Sequence, residues 1–214
     1  MPVSLVLWGH PFSSYCWKAA IALDETATPF DWRIVDGDSD AEFRALWPLA
    51  KFPVLVDGEA VVAEASVIVE YLDLHHGPVP LIPADRAAAL DARFMDRVFD
   101  LHVQSPMQAI VGDAMRGKRD PEGVERARAA LDTAYAWLDA RMAGREWAAG
   151  DAFGLADCAA APALFYADWV HPIAAFANLR AYRARLLARP SVARAVEGAR
   201  PFRHLFPLGA PDRD

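Results

Sequence analysis

WPLAKFPVLVDGEAVVAEASVIVEYL, from Trp47 to Leu72, is the stretch on which the fold of this chain turns. Proline cannot donate to a sheet ladder, so Pro53 reads as the start of a strand. "VLV" (Val54–Val56), the Asp57-Gly58 pair and "AVV" (Ala60–Val62) then form a hairpin, since Asp-Gly between apolar runs is a strong turn signal. From about Ala65 to His75 the residues Val67, Ile68, Tyr71 and Leu72 recur at helical spacing, and Gly77 and Pro78 end that helix.

Toward the N-terminus the same alternation of periods continues. "VSLVLW" (Val3–Trp8) reads as a buried strand, about Tyr15 to Thr26 as a helix, and "FDWRIV" (Phe30–Val35) as a second strand. Asp38 or Ser39 can cap a short helix that carries Phe43, Leu46 and Trp47 and stops near Pro48. Residues 1–76 therefore read β-α-β-α-β-β-α, a small sheet with helices around it.

Beyond "GPVPLIPAD" (Gly77–Asp85), a linker, strand alternation disappears. Leu90, Phe94, Val98 and Leu101 make one helical stripe and Leu131, Tyr135, Leu138 and Met142 another. A third helix begins near Leu155; Phe176, Leu179, Tyr182 and Leu186 support a fourth and Arg189–Glu197 a short fifth. The expected organisation is an α/β domain over 1–76, an all-helical domain over 86–201 and a tail over 202–214 that is frayed after Pro207.

Composition narrows the function classes. The 214 residues are 54% apolar, yet no apolar run approaches a membrane span and the N-terminus lacks a signal-peptide pattern, so a cytoplasmic protein without a membrane partner is expected. Twenty-two basic against 29 acidic residues give a net charge of −7, which disfavours nucleic-acid binding because phosphates need a concentrated basic surface. Cys16 and Cys158 suggest neither a disulfide framework nor a thiolate metal site, and the histidines form no close ligand cluster, so no metal is expected.

The chemistry-bearing stretch is "HPFSSYCWKAAIAL" (His10–Leu23). A helix starting near Ser14 or Tyr15 leaves its first N–H groups unpaired and favours negative charge. Capping is the commoner use of serine there. Ser13-x-x-Cys16 has the length of a redox Cys-x-x-Cys loop but a hydroxyl in its first position, so an ordinary dithiol relay is unavailable, whereas the turn could position a thiol brought by a ligand. Cys16 reads as core packing beside Trp17 and Ala20, and as a spare nucleophile only if exposed. Lys18 reads as solvated and His10 as a turn or surface histidine.

With these segments in place the chain resembles the cytosolic glutathione transferases over roughly Val3 to Pro201. Trp47–Leu72 is similar to that family's N-P-x-G-K-V-P-x-L, hairpin and E-S-x-x-I-x-x-Y-L pattern. The resemblance implies a thioredoxin-like domain followed by an all-α domain, a homodimer, and glutathione as cosubstrate with no permanently bound cofactor. It implies a cis peptide before Pro53 and pairing of the Phe52 backbone with the cysteinyl unit of glutathione. Lys51 matches the lysine near the glycyl carboxylate. Glu64 matches the acid that meets the γ-glutamyl amine, and the following helix start can receive the γ-glutamyl carboxylate. Anchoring on Ile68, Tyr71 and Leu72 puts Ala65 at the pattern's serine, with Ser66 as a neighbouring substitute. Ser13 best matches the activating serine of the theta-like and zeta-like branches, and Ser14 is the near alternative. "GDAFGLADCAAAPAL" (Gly150–Leu164) resembles the helix-start motif G-x-x-x-[S/T]-x-A-D, with Gly154 at the hydroxyl position and Asp157 at N3.

The implied activity is addition of glutathione thiolate to a small hydrophobic electrophile, with Phe12, Phe99, His102, Ser105, Met107 and Gln108 as one candidate wall and Tyr166 and Trp169 as the other. The alternatives are zeta-like glutathione-dependent cis-trans isomerisation, a non-catalytic transferase-like binding module, and glutathione-disulfide chemistry through Cys16.

Overall fold

The computed structural model describes residues 5–117 and 119–214; Val3 and Ser4, which the sequence assigns to the first strand, lie outside them. The N-terminal half contains β1 (Leu5–Gly9), α1 (Ser14–Glu25), β2 (Phe30–Ile34), α2 (Asp40–Leu46), β3 (Val54–Asp57), β4 (Ala60–Ala63) and α3 (Ala65–His75). The strands lie in the order β2-β1-β3-β4, with β2 parallel to β1 and β3 antiparallel to both β1 and β4. Strand periodicity sorts the side chains. Leu5, Leu7 and Leu55 face the main core under α1 and α3, while Trp8 and Val54 pack with Phe43 of α2 on the opposite face.

The helical half contains α4 (Arg86–Val98), α5 (Ser105–Met115), α6 (Pro121–Met142), α7 (Leu155–Val170), α8 (Ala177–Ala188) and α9 (Pro190–Ala199). A π-helical segment, Phe99–Gln104, joins α4 to α5, and a 3₁₀ turn, Arg200–Leu205, follows α9. α7 is buried from Leu155 to Asp168, and its alanines let α1 and α4 approach closely, so the two halves share one apolar core. Pro162 lies inside α7 without ending it.

Two expectations change, the stripe on α4 and the frayed tail. The side of α4 and the π segment that enters the core is Ala89, Ala92, Met95, Phe99 and Val103. Of the expected stripe only Val98 is buried, and Leu90, Phe94 and Leu101 face outward, because α7 packs against α4 where small Ala89 and Ala92 let it approach. The linker is strapped to the core: Leu81 and Ile82 are buried, their N–H groups donate to Asp73 Oδ1 at 2.6 and 3.0 Å, and the Leu81 carbonyl accepts from Leu155 N–H at 2.9 Å. The tail is tied down as well, with Phe206 buried, Arg213 paired to Asp168 and Asp214 paired to Arg200 and Arg203. No helix among the described residues is long and apolar enough to cross a membrane.

Candidate functional site

Ser13 is the N-cap residue of α1, with extended backbone (φ −88°, ψ 126°), yet its hydroxyl makes no capping bond to the first turn. The common use of a serine at this place is therefore not the one adopted. The preceding turn is fixed by other groups: Trp17 Nε1 donates to the Pro11 carbonyl at 2.6 Å, Tyr166 Oη donates to the Phe12 carbonyl at 2.9 Å, and Phe12 N–H donates to His10 Nδ1 at 3.1 Å. His10 thus builds the turn, and burial lowers its pKa. Ser14 is buried, and its oxygen accepts from Gln104 Nε2 at the end of the π segment.

Cys16 is fully buried, and burial pushes its thiol up to about 12 although the His10 N–H, at 3.4 Å, and the Ser13 hydroxyl both favour the thiolate. Its sulfur occupies the space left by Gly9, where a Cβ would collide with it. A thiol so enclosed and so weakly acidic is packing and is not the spare nucleophile.

Lys18 corrects the expectation of a solvated side chain: it is 1% exposed. Its ammonium pairs with Asp96, lies 3.0 Å from Asp100 Oδ2 and donates to Ser66 Oγ at 2.8 Å. Ser66 in turn donates to Asp96 Oδ2 at 2.9 Å and accepts from Arg97 Nη2 at 2.9 Å, and Arg97 also pairs with Asp96 and Asp100. Ion pairs this deep are expensive to desolvate and hold only when both charges are multiply bonded, as they are here. The cluster ties α1, the first turn of α3, α4 and the π segment together.

Above it opens a cleft of about 530 Å³ lined by Tyr15, Lys51, Phe52, Pro53, Glu64, Ala65, Ser66, Val67, Arg97, Asp100 and Leu101. The sequence-predicted Lys51, Phe52, Pro53, Glu64, Ala65 and Ser66 thus come together, whereas Ser13 and Ser14 lie outside this lining. The Phe52–Pro53 peptide is cis. Glu64 adopts φ +71°, ψ 120°, a conformation that non-glycine residues rarely take and that costs on the order of 1–3 kcal/mol where it is held. Its side chain leaves the first N–H groups of α3 uncapped, so the cleft wall carries free amide donors and the positive end of a helix dipole. Tyr15, Arg97 and Asp100 were not among the predicted site residues. Burial, reinforced by Asp100, raises the Tyr15 hydroxyl to about 12, so it stays protonated as a donor. The available signal was an isolated lysine inside the apolar run from Cys16 to Leu23, which asks for a buried anion without saying where it comes from.

The residues expected as two substrate walls are distributed differently. Phe12 packs edge-on against Tyr166 at 5.5 Å and Phe206 at 6.5 Å, and Phe99 and Met107 are buried in the core. His102 faces a different groove, with Phe94, Leu101 and Trp137.

Fold and cleft together define a two-domain protein with a thioredoxin-like half and an all-helical half. Residues 7–80 match the glutathione S-transferase N-terminal domain family and 121–185 its C-terminal domain family. The chain is 31% identical to glutathione S-transferase GstB of Escherichia coli strain K12, over 90% of this chain and 97% of that one. It is 27% identical to the probable maleylacetoacetate isomerase of Vibrio cholerae, over 93% and 98%. A glutathione S-transferase from Methylobacterium radiotolerans, solved in complex with glutathione sulfonate, superposes with a TM-score of 0.78 at 30% identity, covering 91% of this chain and 95% of that one. The chain belongs to the glutathione S-transferase family.

Proposed function

We propose that the protein binds reduced glutathione in this cleft and transfers it to a small hydrophobic electrophile, with Ser13 as the group that donates a hydrogen bond to the glutathione sulfur, as in the serine-dependent theta-like or zeta-like branches. The observation that carries the reading is a serine hydroxyl at the start of α1 that is not used for capping, two residues before Tyr15 of the cleft lining, together with the uncapped amides that α3 offers on the cleft wall. The Phe52 backbone takes the cysteinyl unit like an added strand, Lys51 the glycyl carboxylate, and Glu64 with the start of α3 the γ-glutamyl group. Ser14 is a supporting residue, its oxygen held by Gln104. A hydrogen bond to a charged sulfur contributes about 1.5–3 kcal/mol, or roughly one to two units of thiol pKa. The thiolate attacks the electrophilic carbon, and the displaced group or the added proton balances the product.

A titration of glutathione against wild type and Ser13→Ala, read by thiolate absorbance across pH, tests this. The wild type should lower the thiol pKa and the variant should return it by roughly one to two units; equal values in the two proteins would exclude Ser13. A second reading, glutathione-dependent cis-trans isomerisation, is favoured by the likeness to the Vibrio cholerae protein, and it is distinguished because glutathione is regenerated rather than consumed. We also propose a homodimer, supported by the outward-facing Phe94, Leu101 and Trp137, which line an apolar groove of about 530 Å³ between α4 and α6.

A further inference from the structure

The first turn of α3 lacks a side-chain donor for an anion. Ala65 carries no hydroxyl. Ser66 has one, but it accepts from Lys18 and Arg97 and spends its proton on Asp96. Glu64 is itself acidic. The cation nearest this turn that faces the cleft is Arg97, whose Nη2 is 2.9 Å from Ser66 Oγ.

Arg97 differs from a purely structural guanidinium in two ways. Its bonds to Asp96, Asp100 and Ser66 use Nε and Nη2, and Nη1 donates to no acceptor among the described residues. Its side chain is 50% exposed, whereas the carboxylates it leans on are 4% and 11% exposed. Those carboxylates are also neutralised from the inside by Lys18, at Asp96 and at 3.0 Å from Asp100 Oδ2. Lys18 therefore supplies the buried counter-charge and leaves the outer edge of the guanidinium for a ligand. The same end of the cleft presents Glu64 and Asp100, so both signs of charge face it. That combination fits an α-amino acid head, with an ammonium and a carboxylate on one carbon, and does not fit a lone carboxylate.

We propose that Arg97, a residue of the helical domain, is a specificity-determining residue that binds the α-carboxylate of the γ-glutamyl unit beside the α3 amides, taking over the work of the hydroxyl missing at Ala65. This rests on glutathione being the ligand of the cleft. A guanidinium matches a carboxylate in geometry and keeps its charge at any working pH, and such charge-assisted bonds are the stronger kind.

The test is calorimetric titration of full-length wild type, Arg97→Ala and Arg97→Lys with glutathione and with γ-aminobutyryl-cysteinyl-glycine, the same tripeptide without the α-carboxylate. Wild type should prefer glutathione by roughly ten- to a hundredfold, the span of one charged hydrogen bond. Arg97→Ala should lose most of that preference, keeping only the part the α3 amides supply, and Arg97→Lys should keep more of it than Arg97→Ala. Arg97→Gln is read in the same way if the alanine variant does not fold. Loss of packing alone would weaken both peptides together and leave their ratio unchanged, so the ratio reports recognition. Wild-type preference retained in Arg97→Ala overturns the assignment of Arg97 while leaving the glutathione reading intact. A wild type that binds neither peptide overturns both.

Discussion

Gly154→Ser is expected to destabilise the protein, although it restores the hydroxyl that the helix-start motif would carry. Gly154 is the N-cap of α7 with φ −158° and ψ −158°, extended backbone open to any residue, so glycine is not there for its conformational freedom. It is there for space: a Cβ would collide with the Leu81 carbonyl. That carbonyl cannot retreat cheaply. It accepts from Leu155 N–H at 2.9 Å, and its strand of linker is anchored by the two N–H groups on Asp73. A restored cap contributes about 1 kcal/mol. Against it stand about 1–3 kcal/mol for overpacking and about 1 kcal/mol for the weakened Leu155–Leu81 bond. The balance is a loss of roughly 1–3 kcal/mol, which for a chain of this size lowers Tm by roughly 2–12 °C. Calorimetric melting of wild type, Gly154→Ala and Gly154→Ser gives the answer. Alanine carries the collision without the hydroxyl, so it should be the least stable of the three, with serine between it and wild type. A serine variant that melts at or above wild type would refute the account of why the hydroxyl is missing.

Three other outcomes are expected. Lys18→Met removes the inner counter-charge from Asp96 and Asp100 and should cost about 3–5 kcal/mol in urea unfolding, with part of the loss regained on adding Asp96→Asn; a loss below about 1 kcal/mol would mean that Arg97 alone suffices. Burial raises Asp157 from 3.8 to about 6 despite the bonds it accepts from Ala148 N–H, Tyr182 Oη and Gly154 N–H. The folded state therefore holds this proton more tightly than the unfolded chain, and the associated stability is full below pH 3.8 and lost as pH rises to about 6. The unfolding free energy of wild type minus that of Asp157→Asn should fall across that window, and a flat difference would contradict the shift. Trp137→Glu puts a charge into the outward apolar groove where Trp137 meets Phe94 at 6.0 Å. Sedimentation should show a shift from dimer toward monomer, and an unchanged wild-type monomer would end the dimer proposal.

What could be read in the sequence was what neighbouring residues decide among themselves. The Asp57-Gly58 turn and its flanking valines place β3 and β4 within a residue of the expected ends, and α3 runs from Ala65 to His75 as its spacing predicts. The cleft residues Lys51, Phe52, Pro53, Glu64, Ala65 and Ser66 were legible through the resemblance of that stretch to the family's pattern, which one short segment carries. Lys18 was misread because its partners stand 78 and 82 positions further on, and Arg97 and Asp100 were missed because their meaning depends on that same meeting.

The stripe on α4 failed in a different and more informative way. Leu90, Phe94 and Leu101 recur at helical spacing as a core face would, and periodicity alone cannot tell which of two faces turns inward. The alanines of α7 settle the matter: a helix that must lie close to them presents Ala89 and Ala92, so the bulky residues are left outside with Trp137. Large apolar side chains gathered around one groove on an outer surface are what a protein interface requires. The misplaced stripe is thus the physical reason to expect a second copy of the chain against α4 and α6.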